Sequence, residues 1–164
     1  MITVFKNGEL HYKNKIYKCA LGRNGIKKKK IEGDGCTPEG EFSLGPLYYR
    51  SDRIKKFKSC FKFIPIQKNM FWSDYPHSVH YNKLLNFKDT SCESLYKTNN
   101  TYDLILVIHY NIKPIIKHKG SAIFLHLAKK NFSPTSGCIA LKKDCFLNLL
   151  KKLNISEKIK IILN

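Results

Sequence analysis

With 164 residues and a mass of 19.1 kDa, the chain is long enough for one domain with its own core, without disulfide or metal staples. Its 30 Lys and Arg against 12 Asp and Glu give a formal charge of +18 at pH 7, which invites a polyanion: nucleic acid, an anionic surface or an acidic polymer. The cations include only the arginines Arg23, Arg50 and Arg53, and base readout favours the arginine fork, so no nucleic acid is expected as a partner.

The start, Met1 to Gly8, has no basic region followed by an apolar run, and no stretch has the roughly 20 apolar residues a membrane helix needs, so no transmembrane segment is expected. Cys19, Cys36, Cys60, Cys92, Cys138 and Cys145 are too sparse for a disulfide scaffold and form no CxxC pair. Free thiols, with no metal and no cofactor, are the simpler expectation.

In chain order, Ile2 to Phe5, Leu10 to Tyr12 and Ile16 to Leu21 read as strands joined at Asn7-Gly8 and Lys13-Asn14, a small antiparallel sheet. From Gly22 to Gly45 turn formers dominate, and the spacing predicts a long irregular loop placed over a cleft. Its glycines do not have the spacing of a phosphate-binding loop. Cys60 to Ile66 reads as another strand, and Phe71 through Tyr81-Asn82 as an aromatic-rich loop. Thr90 and Glu93 fit a capping box for a short helix toward Lys97. Asp103 to Tyr110 and Ser121 to Leu127 are apolar enough for central strands. Asp144 is placed to cap a helix carrying Phe146, Leu149, Leu150 and Leu153 on one face, and Lys158 to Leu163 alternates as a closing strand.

The chemistry concentrates at His126 and Cys138, twelve residues apart. An imidazole that takes the proton of a thiol creates a strong nucleophile, which points to covalent acyl transfer. Gly137 permits a tight turn, and the amides of Gly137, Cys138 or Ile139 are candidate oxyanion donors. The group that orients the imidazole is open among a backbone carbonyl, Asp74 and Ser136.

Ser121 to His126, Pro134 to Leu141, Gly33 to Gly40 and Tyr48 to Arg53, with Trp72 to Asp74, Tyr81-Asn82, Tyr102-Asp103 and Tyr110-Asn111, together resemble the L,D-transpeptidase (YkuD-like) catalytic domain, in its branch with a glycine-rich N-terminal segment. The likeness covers nearly the whole chain as a single catalytic domain. It implies a mostly β fold, a catalytic β-sandwich with short peripheral helices. It also implies Cys138 as nucleophile, His126 as general base and Gly137 as the residue before the nucleophile, with Ser136 where many members carry a second histidine. The implied substrate is the peptidoglycan stem peptide: Cys138 forms a thioester after the third residue, D-Ala leaves, and an acceptor amine makes a cross-link. Water as acceptor gives an L,D-carboxypeptidase at the same site, and a polyanion-binding or glycan-binding module is the non-enzymatic alternative.

By the same resemblance Arg23, Lys30 and Asp34 belong to the loop beside the substrate, and Trp72, Asp74, Tyr81 and Asn82 wall the groove. Arg50 and Arg53 are further candidates for pairing with substrate carboxylates. Location is expected to be the periplasm or cell wall if an export segment has been removed, and the cytoplasm if Met1 is the native start. Oligomeric state is not legible in the sequence.

Overall fold

In the computed structural model, which describes residues 1–28 and 30–163, Ile2 and Val4 are fully buried and Thr3 and Phe5 only partly. This is the period-two pattern of a strand with one face on a core. That strand, β1 (Ile2–Phe5), continues into the meander β2 (Glu9–Tyr12) and β3 (Lys15–Ala20), with Ile2 opposite Tyr12 and Leu10 opposite Tyr17. The segment after β3 holds one small parallel ribbon, β4 (Ile26–Lys27) beside β5 (Thr37–Pro38). Where a loop was expected to run on to Gly45, the chain instead enters its longest strand, β6 (Gly40–Tyr49).

The remaining elements are β7 (Phe63–Pro65), β8 (Phe71–Ser73), β9 (Leu84–Leu85), β10 (Cys92–Ser94), β11 (Leu104–Ile108), β12 (Phe124–Leu127), β13 (Ile139–Leu141), α1 (Lys143–Leu150) and β14 (Lys158–Ile162). The mostly β expectation holds, but the main sheet closes into a barrel rather than stacking as a sandwich. Its order runs β6, β11, β12, β13, β3, β2, β1, β14 and back to β6. The first half of β6, Gly40 to Ser43, pairs with β14, and the second half, from Leu44, pairs with β11. Near the start of the second half Gly45 has φ 105°, a conformation that glycine adopts without strain and that lets one strand border both sides of the seam.

Two clusters of buried side chains result. Inside the barrel lie Ile2, Val4, Leu10, Leu47, Leu104, Leu106, Leu125, Leu127, Ile139 and Leu141, joined by Phe146, Leu149 and Leu150 from α1. On the outer face of β11 and β12, Ile105, Val107 and Phe124 pack with Trp72, Met70 and Leu95, under the small antiparallel sheet β10–β8–β9. Burial on both faces explains why β11 and β12 read as continuous apolar runs.

Two helix expectations are corrected. Thr90 starts no helix, because Cys92, Glu93 and Ser94 pair with Ser73, Trp72 and Phe71 as β10. The sheet partner outweighs the local capping signal. Asp144 stands in the first turn of α1 and is not its cap, since Lys142 holds the N-cap position with no side-chain bond. α1 is the one α-helix among the described residues, and no helix is long and apolar enough to cross a membrane.

Candidate active site

Strand alternation places the two reactive side chains. In β12, Leu125 and Leu127 enter the barrel, while Phe124 belongs to the outer cluster, so His126 faces outward with it. β13 runs parallel to β12, with Leu125 opposite Ile139 and His126 opposite Ala140. Cys138, one residue before Ile139, therefore falls on the same outward side as His126, and it packs in the cluster with Phe124. Both line a cleft of about 440 Å³ together with Arg23, Tyr102, Ala122 and Ala140.

His126 Nδ1 lies 3.0 Å from the Leu127 carbonyl oxygen. A carbonyl can only accept, so Nδ1 carries the proton and Nε2 keeps the lone pair a base requires. The imidazole orienter is thus a backbone carbonyl. Asp74 instead accepts the hydroxyl of Ser91, and Ser136 Oγ accepts from Arg23 Nη1 at 3.2 Å. The His126 and Tyr102 rings meet in a T-shaped arrangement at 5.2 Å between centroids. Burial pushes the imidazole pKa down to about 4, against the Leu127 bond, which acts in the opposite direction. At neutral pH the ring is uncharged.

The Cys138 thiol donates to the Ala122 carbonyl at 3.1 Å and accepts the Phe124 amide at 3.4 Å. Burial pushes its pKa up to about 12, while the Phe124 amide pulls the other way. The resting pair is therefore a thiol and a neutral imidazole, not an ion pair. Among the described residues the thiol is held by Ala122 and Phe124.

The turn before the nucleophile is built by Thr135, whose Oγ1 donates to the Cys138 carbonyl at 2.6 Å and accepts the Gly137 amide at 3.1 Å. Gly137 has φ 138°, and a Cβ there would stand 2.7 Å from the Cys36 carbonyl oxygen. No other residue fits without displacing that backbone. Because Thr135 occupies the Gly137 amide and Ile139 enters the β13 ladder, the amide of Cys138 is left as the candidate oxyanion donor.

The glycine-rich segment docks directly onto this turn. Gly22 bridges to Thr135, the Arg23 amide donates to the Thr135 carbonyl at 2.9 Å, and the Thr135 amide donates to Leu21 at 2.9 Å. Lys30 is buried and donates to Asp34 at 2.7 Å. Burial alone would raise the Asp34 pKa, yet the Ile31 and Cys36 amides and the Lys30 ammonium together hold it below the usual carboxylate value. Glu32 accepts the hydroxyls of Tyr81 and Ser121, the latter at 2.7 Å. The segment is fastened at both ends of the cleft.

Of the residues expected to contact substrate, Arg23, Lys30 and Asp74 line the cleft. Asp34 does not; its oxygens are taken up within its own loop. Trp72, Tyr81 and Asn82 are also corrected, because all three are buried behind the site. Asn82 accepts the indole N–H of Trp72 at 2.8 Å and the amide of Ala122 at 3.1 Å, and donates to the carbonyls of Tyr110 and Asn111. Arg50 forks onto Asp52, and Arg53 pairs with Asp103, so neither is free for a substrate carboxylate. Sequence reasoning missed Glu32, Glu93, Lys97 and Lys129 on the cleft wall. Glu32 adjoins the glycine-rich motif and was within reach of a motif argument; the other three carry no local signal.

Among the described residues no group of three or more His, Cys, Asp or Glu side chains is arranged to hold a metal ion, and all six cysteines are unpaired. The family model for YkuD, the L,D-transpeptidase catalytic domain, matches residues 1–161. The chain belongs to the YkuD family. Among solved structures, it is similar to the helical cell shape determining protein Pgp2 from Campylobacter jejuni, at 15% identity and a TM-score of 0.45, over 99% of this chain and 47% of that one. The YkuD-family chain described here thus spans about half the length of Pgp2. No curated protein matches it.

Proposed function

We propose that the chain trims peptidoglycan tetrapeptide stems by cysteine acyl transfer with water as the principal acceptor, as an L,D-carboxypeptidase. One observation carries the reading: Cys138 and His126 share an outward face of two adjoining strands and open into one cleft, with the imidazole proton fixed on Nδ1. Cys138 Sγ adds to the carbonyl of the third stem residue as its proton passes to His126 Nε2, and the Cys138 amide receives the oxyanion. The bond to the terminal D-Ala then breaks, and the departing amine takes the proton from the imidazolium. Water gives a proton to His126 and adds to the thioester, and the released sulfur recovers its proton. The balance is tetrapeptide and water to tripeptide and D-Ala.

The size of the cleft, about 440 Å³, favours water over a second stem. It lies in the range for one drug-sized ligand, and the other described cavities, of about 400 and 300 Å³, share no lining residue with it. Asp74 favours the second reading, transpeptidation. It lines the cleft and forms no salt bridge among the described residues, which suits the ammonium of an acceptor stem.

The test is product mass spectrometry of wild type and Cys138→Ala with a tetrapeptide muropeptide, alone and with excess acceptor stem. Cysteine-dependent release of D-Ala leaving tripeptide is the expected result. A joined product in excess acceptor establishes transpeptidation instead, and no product from folded protein overturns both. Such a substrate puts the site of action on the wall side of the membrane, a location that cell fractionation reads directly.

A further inference from the structure

The chain has three arginines, and the fold neutralises two of them. Arg50 forks onto Asp52 with bonds of 2.8 and 2.7 Å, and Arg53 reaches Asp103 at 3.0 Å. Arg23 forms no salt bridge with any described carboxylate. The cations along the cleft divide in the same way: Lys30 is bound by Asp34 and Lys97 by Glu93, leaving Arg23 and Lys129. Lys129 is an exposed side chain with no hydrogen bond among the described residues. Arg23 is held.

Three contacts fix its guanidinium. Nη1 donates to Ser136 Oγ at 3.2 Å, and Nη2 donates to the Gly33 carbonyl at 3.4 Å. Beneath it lies Gly35, where a Cβ would come within 2.8 Å of both Nε and Cζ. The bare backbone of the glycine-rich loop is therefore the space in which the guanidinium rests. The group sits two residues from the nucleophile through Ser136, on the cleft rim, with three of its five N–H groups uncommitted. An unpaired fork held in place in this way matches a carboxylate.

We infer that Arg23 binds the terminal carboxylate of the residue released from the peptide, so that the cleft selects stems ending in a free acid. The inference rests on the reading of the cleft as a site for stem peptides. It gives the glycine-rich loop a task in recognition: the loop carries the charge that sorts chain ends, while the barrel strands carry the nucleophile and base. It also explains how a chain with a serine at position 136 keeps a cation beside the nucleophile.

The test compares two tetrapeptides that differ only at the end, one with a D-Ala carboxylate and one with the carboxamide. Wild-type kcat/KM should favour the free acid by about ten- to a hundredfold, the range of a charge-assisted hydrogen bond. Arg23→Gln should collapse that ratio toward one, chiefly by lowering the free-acid value through KM, and Arg23→Lys should restore part of it. Equal losses on both peptides would overturn the assignment in favour of a structural role. Binding of both peptides to Cys138→Ala separates this inference from the one beneath it. Equal affinity for the acid and the amide overturns the Arg23 assignment and leaves the stem reading intact, whereas binding of neither overturns both.

Discussion

Asn82 holds Ala122 by accepting its amide at 3.1 Å, and the carbonyl of Ala122 in turn receives the thiol proton of Cys138 at 3.1 Å. Ala122 has φ 53°, a left-handed conformation that an alanine keeps only when its surroundings hold it there. The Cys138 thiol is thus positioned through one residue, Ala122, from a buried amide side chain that never meets the cleft. Removing Asn82 strands the Trp72 indole N–H, the Ala122 amide and two carbonyls, each a buried polar group worth about 1–3 kcal/mol when orphaned. Asn82→Ala is expected to destabilise the fold by roughly 3–5 kcal/mol in urea unfolding. Cys138 alkylation should also speed up under native conditions; an unchanged alkylation rate would show that the Ala122 carbonyl does not restrain the thiol.

His126→Gln should lower kcat/KM by about 10²–10⁴-fold, the contribution of a positioned general base. The Leu127 carbonyl can still receive the glutamine amide N–H, so the side chain keeps its place but loses the basic nitrogen. Steady-state kinetics on the tetrapeptide checks this, and a rise in KM with kcat unchanged would assign the imidazole to binding.

The pH dependence of stability follows from the two buried groups. His126 falls from 6.5 to about 4 on folding, so its contribution is present above pH 6.5 and is lost as pH falls through 4. Cys138 rises from 9.0 to about 12, so its contribution is present below pH 9 and is lost as pH rises toward 12. A stability plateau between about 6.5 and 9 is expected from this pair. Across the acid limb wild type should lose roughly 3 kcal/mol more than His126→Gln. Parallel acid limbs in a urea series would mean that the imidazole is not kept neutral.

Gly137→Ala tests the turn. Its Cβ would stand 2.7 Å from the Cys36 carbonyl, at a φ of 138°, a conformation that costs about 1–3 kcal/mol for a residue with a side chain. Folded Gly137→Ala protein should lose most of its turnover because the displaced backbone carries the Cys138 amide. Wild-type kcat would show that the amide is not aimed at the reacting carbonyl.

Much of this was legible in the sequence, for reasons of period. β1, the meander, β11 and β14 carry their side-chain alternation or apolar runs in full, and these elements fell within a residue or two of expectation. β6 did not read as a strand because Gly40, Gly45 and Pro46 carry turn chemistry, and only the distant partners β14 and β11 extend it. Barrel closure depends on that strand, so the mostly β fold was legible while the closing of its main sheet was not. His126 and Cys138 were legible as a pair. Asn82, Trp72 and Tyr81 were legible as belonging near the site, but residue type cannot tell a side chain that faces the cleft from one that braces it from behind.

The barrel seam has a consequence for the timing of activity. β14 fills the gap between β1 and β6, pairing Ile159 with Ile2 on one side and with Phe42 on the other. A ribosome that has delivered Cys138 has not yet delivered the strand that closes the ring, so the emerging chain carries that thiol on an open sheet. On the proposed reading, hydrolytic competence is expected to arrive only with the last strand of the barrel.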